Sequence, residues 1–201
     1  MREVIALAVT ILSTTATTYY CYLTIKKKIS PVLSSWLLFS VATSMSLTTY
    51  LFSKEHDAIR NIGNAIDVAA ALAITSVVGL SNRSKNALSF TRLETACLLA
   101  TAAILVFWGS SRNETVSNLA VQGILIAGYL PLVTHLWKAR ENTESTFIWT
   151  VFLLNSSLAL YLPIKEKDLL ATVYNLRAVI SVALVVGLIL RIKFRKRKRG
   201  F

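Results

Sequence analysis

The stretch AGYLPLVTHLWKARENTESTFIW, Ala127 to Trp149, sets a proline inside an apolar run, follows it with a polar hairpin, and resumes with tryptophan and a second apolar run. A looser copy, TTYYCYLTIKKKISPVLSSW from Thr17 to Trp36, lies about 110 residues upstream. Working outward from these two stretches, seven runs are long enough for a bilayer-spanning helix, which needs about 20 mostly apolar residues. They cover 4–25, 31–52, 60–80, 93–110, 117–137, 146–163 and 170–190. The connections are short and polar, so no room is left for a soluble catalytic or ligand-binding domain. With 54% apolar residues and a positive mean hydropathy in a 22.2 kDa chain, residues 1–201 read as a single all-α integral membrane domain whose solvent is lipid.

A formal charge of +12, and RIKFRKRKRGF at residues 191–201, raise the question of a nucleic-acid partner. The distribution of charge answers it. Segments 26–30, 81–92, 138–145 and the tail from Arg191 hold 15 of the 22 Lys and Arg, alternating with poorly charged connections as the positive-inside pattern requires. The expected topology has seven spans, the N-terminus outside and the C-terminus cytoplasmic, in a membrane expected to be the bacterial inner (plasma) membrane. The 191–201 tail then reads as an anchor for anionic lipid headgroups, and no nucleic-acid partner is called for. The first run is not a cleavable signal: Arg2 and Glu3 cancel ahead of it, and Lys26, Lys27 and Lys28 follow it. Cys21 and Cys97 stand alone in separate runs and read as small buried residues. With only His56 and His135 besides, no metal site or cofactor is indicated, and self-association into a homo-oligomer is left open.

An internal repeat organises the chain. The third and seventh runs, GNAIDVAAALAITSVVGL and VYNLRAVISVALVVGL, both end in Val-Val-Gly-Leu, at Val77–Leu80 and Val185–Leu188. The second and sixth runs both follow a basic hairpin and carry a tryptophan near their start. A single helix, 93–110, separates the halves, so the two three-helix units, 4–80 and 117–190, point the same way across the membrane, in a 3+1+3 order.

On these residues the chain resembles the PQ-loop and SWEET-like (MtN3-type) membrane protein superfamily, and within it small bacterial seven-helix members carrying a Gly-Tyr-Leu-Pro, basic hairpin, Ser-Trp pattern. Gly128-Tyr129-Leu130-Pro131 and Ser35-Trp36 carry the likeness, over nearly the whole chain. Leu132 replaces the glutamine that names PQ-loop proteins, and Tyr19-Tyr20-Cys21-Tyr22 occupies the place of the first-half proline. The resemblance implies a membrane transporter. Proteins of this fold carry sugars, amino acids or vitamin precursors, and one branch is a cargo receptor.

The residues themselves point the same way. Pro131 cannot donate to the carbonyl of Ala127, and its ring pushes that turn open, making it a hinge candidate, with a static kink as the plain alternative. Intramembrane polar groups are costly and face an interior or a watery cavity. Asp67 and Arg177 lie about two turns into their helices from the same side, at matching depth, as a fixed salt bridge or a working pair. Asn64 shares the Asp67 face, and Asn175 is the alternative to Arg177 because the repeat sets it opposite Asp67; the two cannot both point straight inward. Asn155, with Thr43, Ser44, Ser156 and Ser157 at similar depth, suits hydrogen bonding to a solute. Tyr20 and Tyr129 lie deep enough to need partners along the same pathway, whereas Trp36 and Trp149 read as interfacial anchors. No nucleophile–base pair, metal cluster or phosphate loop indicates an enzyme. The expectation is a transporter of a small polar solute such as a sugar, an amino acid or a nucleoside, working by alternating access. A non-transporting receptor or assembly subunit on the same fold is the alternative.

Overall fold

The computed structural model describes residues 1–29, 31, 33–54, 57–81, 90–139 and 144–199, with the side chains of 131 and 196–199 outside the description. His56, most of the 81–92 connection and the 140–143 hairpin of the opening stretch lie outside it too. Among the described residues the chain is all helical: α1 (Arg2–Ile25), α2 (Leu33–Leu51), α3 (Ile62–Ser81), α4 (Arg92–Ser111), α5 (Glu114–Lys138), α6 (Thr146–Lys165) and α7 (Leu169–Arg199). Six of the seven are long and apolar enough to cross a membrane, which marks an integral membrane protein. The exception is α2, where eight Ser and Thr in 19 residues dilute the apolar run. Four of those hydroxyls, on Ser40, Thr43, Thr48 and Thr49, bond a carbonyl one turn back, so α2 satisfies half of its Ser and Thr hydroxyls internally.

Local chemistry sets the helix starts. Thr91 and Glu94 form a reciprocal capping box on α4, the Glu94 carboxylate accepting from the Thr91 N–H at 2.8 Å. Asn113 caps α5 by accepting from Val116 N–H at 3.1 Å, and Asp168 caps α7 by accepting from Ala171 N–H at 2.9 Å. The turn from α4 to α5 is only two residues long, and Arg112 makes it by adopting a left-handed φ of 53°.

Two helix ends depart from the sequence expectation. α6 does not stop at Pro163 but continues to Lys165. A proline near the end of a helix forfeits only its own bond, and the last carbonyls are met by the Glu166 and Asp168 N–H groups, the latter reaching the Pro163 carbonyl at 2.9 Å. α7 does not stop near residue 190 either: it runs helically through the basic segment to Arg199. Lys and Arg are good helix formers, and residues 191–199 contain no glycine or proline.

α3 packs against α1 and α2, α7 packs against α5 and α6, and α1 meets α6 while α2 meets α5. α4 lies outside, against α5 and α2. The join between α4 and α2 is polar: Ser34 and Ser35 hydroxyls donate to the buried Glu94 carboxylate at 2.9 and 2.6 Å. Gly63 marks a close crossing, because a Cβ there would run into Asn175 of α7 and come within 3.1 Å of Ala159 of α6.

Candidate functional site

A cavity of about 590 Å³ runs between the helices. At one end, here the tail end, it is lined by Lys28 and Pro31 of the α1–α2 connection, by His135 near the end of α5 and by Glu144 just before α6. It descends from there to Asp67, Tyr174 and Arg177 on α3 and α7.

Six aromatic rings from α1, α2, α5 and α6 make its upper wall. Tyr20 meets Trp36 edge-on at 5.3 Å between centroids, Trp36 meets Phe39 at 6.0 Å, and Phe39 meets Tyr129 at 5.0 Å. Tyr129 then meets Trp149 at 6.4 Å, and Trp149 meets Phe152 at 5.9 Å. Four of these five contacts are edge-to-face and the Trp36–Phe39 pair is tilted, which favours a continuous arc over isolated rings. Trp36 and Trp149, expected as interfacial anchors, are part of this inner wall. Trp149 is buried, and its indole N–H donates to Glu144 at 2.9 Å, a bond that fixes the ring at the mouth of the cavity. Burial raises the Glu144 carboxyl pKa, against the opposing pull of Trp149 and His135.

The deep wall holds the charge. Asp67 and Arg177, expected as a fixed salt bridge or a working pair, make no direct ion pair among the described residues: Tyr174 stands between them. The Tyr174 hydroxyl donates to Asp67 Oδ2 at 2.7 Å, and the Arg177 guanidinium lies over the Tyr174 ring, 4.7 Å from its centroid. Arg177 Nε donates to Gln122 Oε1 at 3.2 Å, which leaves the terminal nitrogens of the guanidinium, and Asp67 Oδ1, without a partner among the described residues. Asn155 also lines the cavity, is 4% exposed, and keeps its Oδ1 unpaired. A buried, unsatisfied carbonyl is uncommon in a folded protein and calls for a partner.

Of the seven pathway residues expected from sequence, Tyr20, Asp67, Tyr129, Asn155 and Arg177 meet in this wall, and so do Thr43 and Ser156. Asn64 and Asn175 do not. Asn64 is fully buried 3.0 Å from Ser46 Oγ, under the cover of α2. Asn175 donates to the Ala171 carbonyl at 2.8 Å and fills the space over Gly63, so that of Asn175 and Arg177 it is the arginine that lines the cavity. Pro131 lies within the helical span of α5, and its side chain is outside the described residues.

Sequence reasoning missed the groups that hold this wall in place. Gln122 Nε2 donates to Ser46 Oγ at 2.9 Å, and Asn118 Nδ2 donates to the Ser46 carbonyl at 2.7 Å. Arg177 is thereby wired through α5 to α2. The signal was present as Asn118 and Gln122, polar residues one turn apart on a face of α5.

The opposite end, carrying Met1, is closed by charge. Arg2, Asp57, Arg60 and Glu166 make a ring of alternating sign: Arg2 pairs with Asp57 and, at 3.0 Å, with Glu166, while Arg60 meets Asp57 at 3.4 Å and Glu166 at 2.8 Å. Burial works against ionisation of Asp57, but hydrogen bonds from Arg2 and from the Ile59 and Arg60 N–H groups outweigh it and hold its carboxyl below the usual range. Beneath the ring, the buried Tyr50 hydroxyl donates to Asp168 Oδ2 at 2.6 Å and lies 2.9 Å from the Asp57 carbonyl. None of these residues lines the cavity. Comparison with known proteins adds no relative to this geometry: no family model, no curated protein and no solved structure matches the chain.

Proposed function

We propose that the protein is a membrane transporter that moves a small polar solute by alternating access. In this reading α1–α3 and α5–α7 are two parallel three-helix units joined by α4, as the PQ-loop and SWEET-like resemblance implies. The pairing of helices supports it, because exchanging α1, α2 and α3 for α5, α6 and α7 turns the α1–α6 contact into the α5–α2 contact, and each unit keeps its third helix in the middle. The observation that carries the proposal is a cavity lined by Asp67, Arg177 and the buried, unpaired Asn155 Oδ1 that reaches one end of the bundle while an ion ring and Tyr50 close the other. With the N-terminus outside, this is a cytoplasm-facing state, and opening outward means parting Arg2 and Arg60 from Glu166. Pro131 supplies part of the bending.

A one-ended cavity is also what a receptor or assembly subunit would present, and transport assays separate the two. Proteoliposomes holding the full chain should accumulate a member of a panel of sugars, amino acids and nucleosides. Asn155→Ala or Asp67→Ala should abolish that uptake in protein that still folds and inserts. A chain that binds and moves none of them supports the receptor or subunit reading. The orientation is tested separately: a cysteine at Asn113 should react with an impermeant reagent from outside only, and one at Lys27 from the cytoplasm only.

A further inference from the structure

The deep wall offers more than polarity, because its free valences are sorted by sign. Arg177 presents terminal N–H donors that carry a full positive charge, and its Nε is already committed to Gln122. Across Tyr174, Asp67 Oδ2 is committed to the tyrosine hydroxyl and Oδ1 is not. Asn155 Oδ1 adds a second, neutral acceptor, buried and unpaired. Tyr174 keeps the two charges from neutralising one another directly, so each still seeks a counter-charge in a medium where an uncompensated ion is expensive. A neutral solute would leave both charges half-served. A solute with one charge would serve one and repel the other.

We propose that the cavity selects a small zwitterion, an α-amino acid with an apolar side chain, its carboxylate on the Arg177 guanidinium and its ammonium group between Asp67 and Asn155. Arginine's planar fork suits a carboxylate, and charge-assisted bonds of this kind are the strong ones. An ammonium group has three donors and no acceptor, which matches two carbonyl-type oxygens that lack a donor. The side chain then lies along the aromatic arc from Trp36 to Phe152, which offers contact area and no charge. This inference rests on the transporter reading only for what happens after binding.

The test uses the full chain in lipid nanodiscs, titrated with L-leucine and L-phenylalanine, with L-leucinamide, which lacks the carboxylate, with 4-methylpentanoate, which lacks the amine, and with glucose. The expected result is saturable binding of leucine or phenylalanine, with each single-charge analogue at least about tenfold weaker and glucose without effect. Arg177→Gln should reduce leucine to the level of leucinamide. If that variant does not fold, the analogue series on the unaltered chain still decides. Equal binding of leucine and either analogue, preference for glucose, or no binding of either amino acid would overturn the inference. The same compounds in proteoliposomes keep the two claims apart. Glucose moved while leucine is ignored sinks the zwitterion and leaves transport standing; leucine bound through both charges but never moved sinks transport and leaves the zwitterion standing.

Discussion

At the Met1 end, Arg2, Asp57, Arg60 and Glu166 each meet two charges of opposite sign, whereas along the cavity Asp67 and Arg177 are held apart by one tyrosine. The ring is partly exposed, its charges are paired, and it closes a surface. The deep wall is enclosed and keeps valences open. Ions that satisfy each other make a latch, and ions prevented from doing so make a binding site. The same residue types therefore do different work according to what stands between them.

The largest expected effect falls on the deep wall. Arg177→Gln or Asp67→Ala leaves the other charge buried and alone, and should lower uptake by about 100-fold or more, read as initial rates in proteoliposomes. If either variant transports normally, the wall is structural and the contrast with the ring collapses. Next comes Tyr50→Phe, which strips the buried Asp168 carboxylate of its hydroxyl donor. A hydrogen bond to a charged group contributes about 1.5–3 kcal/mol, so the melting midpoint in detergent should fall by several degrees while solute binding at the cavity is unchanged.

A smaller effect is expected from Glu166→Gln, which removes the shared partner of Arg2 and Arg60. Partly exposed pairs contribute little each, so a cysteine at Ala71, in a background lacking Cys21 and Cys97, should react from the Met1 side roughly fivefold faster. Acid should do the same to the unaltered chain. Because the folded-state pKa of Asp57 is depressed, its contribution is present above the unfolded value and is lost as pH falls through the folded one, so the latch should loosen below about pH 4 and not above it. High salt should act in the same direction. The smallest effect is that of Pro131→Ala: turnover slows a few-fold, roughly, while the binding constant stays put. A changed affinity with unchanged turnover would make Pro131 a packing residue.

Much of this site could be read before folding, because burial in lipid makes polar residues conspicuous. Asp67, Asn155 and Arg177 stand out in apolar runs for that reason, and all three reach the cavity. Asn64 and Asn175 stand out equally and do not, since helical periodicity places a residue on a face but does not say which neighbour covers that face. Gly63 and Asn175 interlock at a helix crossing that neither helix foretells alone. The ion ring was harder still: Arg2 was read only against Glu3 beside it, although its partners are Asp57 and Glu166, far along the chain.

The order of residues alone was enough to decide seven helices, their starts within two or three residues and the apolar character of six of them, because length and hydropathy are local properties. It also decided that Pro131 would break a bond within α5, since that follows from covalent structure. Tertiary packing decided the rest. It put Tyr174 between Asp67 and Arg177, turned Trp36 and Trp149 inward, and tied Arg177 through Gln122 to α2. Each of those depends on where a second helix lies within a few ångströms, and hydrogen bonds and ring contacts act only over that range, which no periodicity along one helix contains.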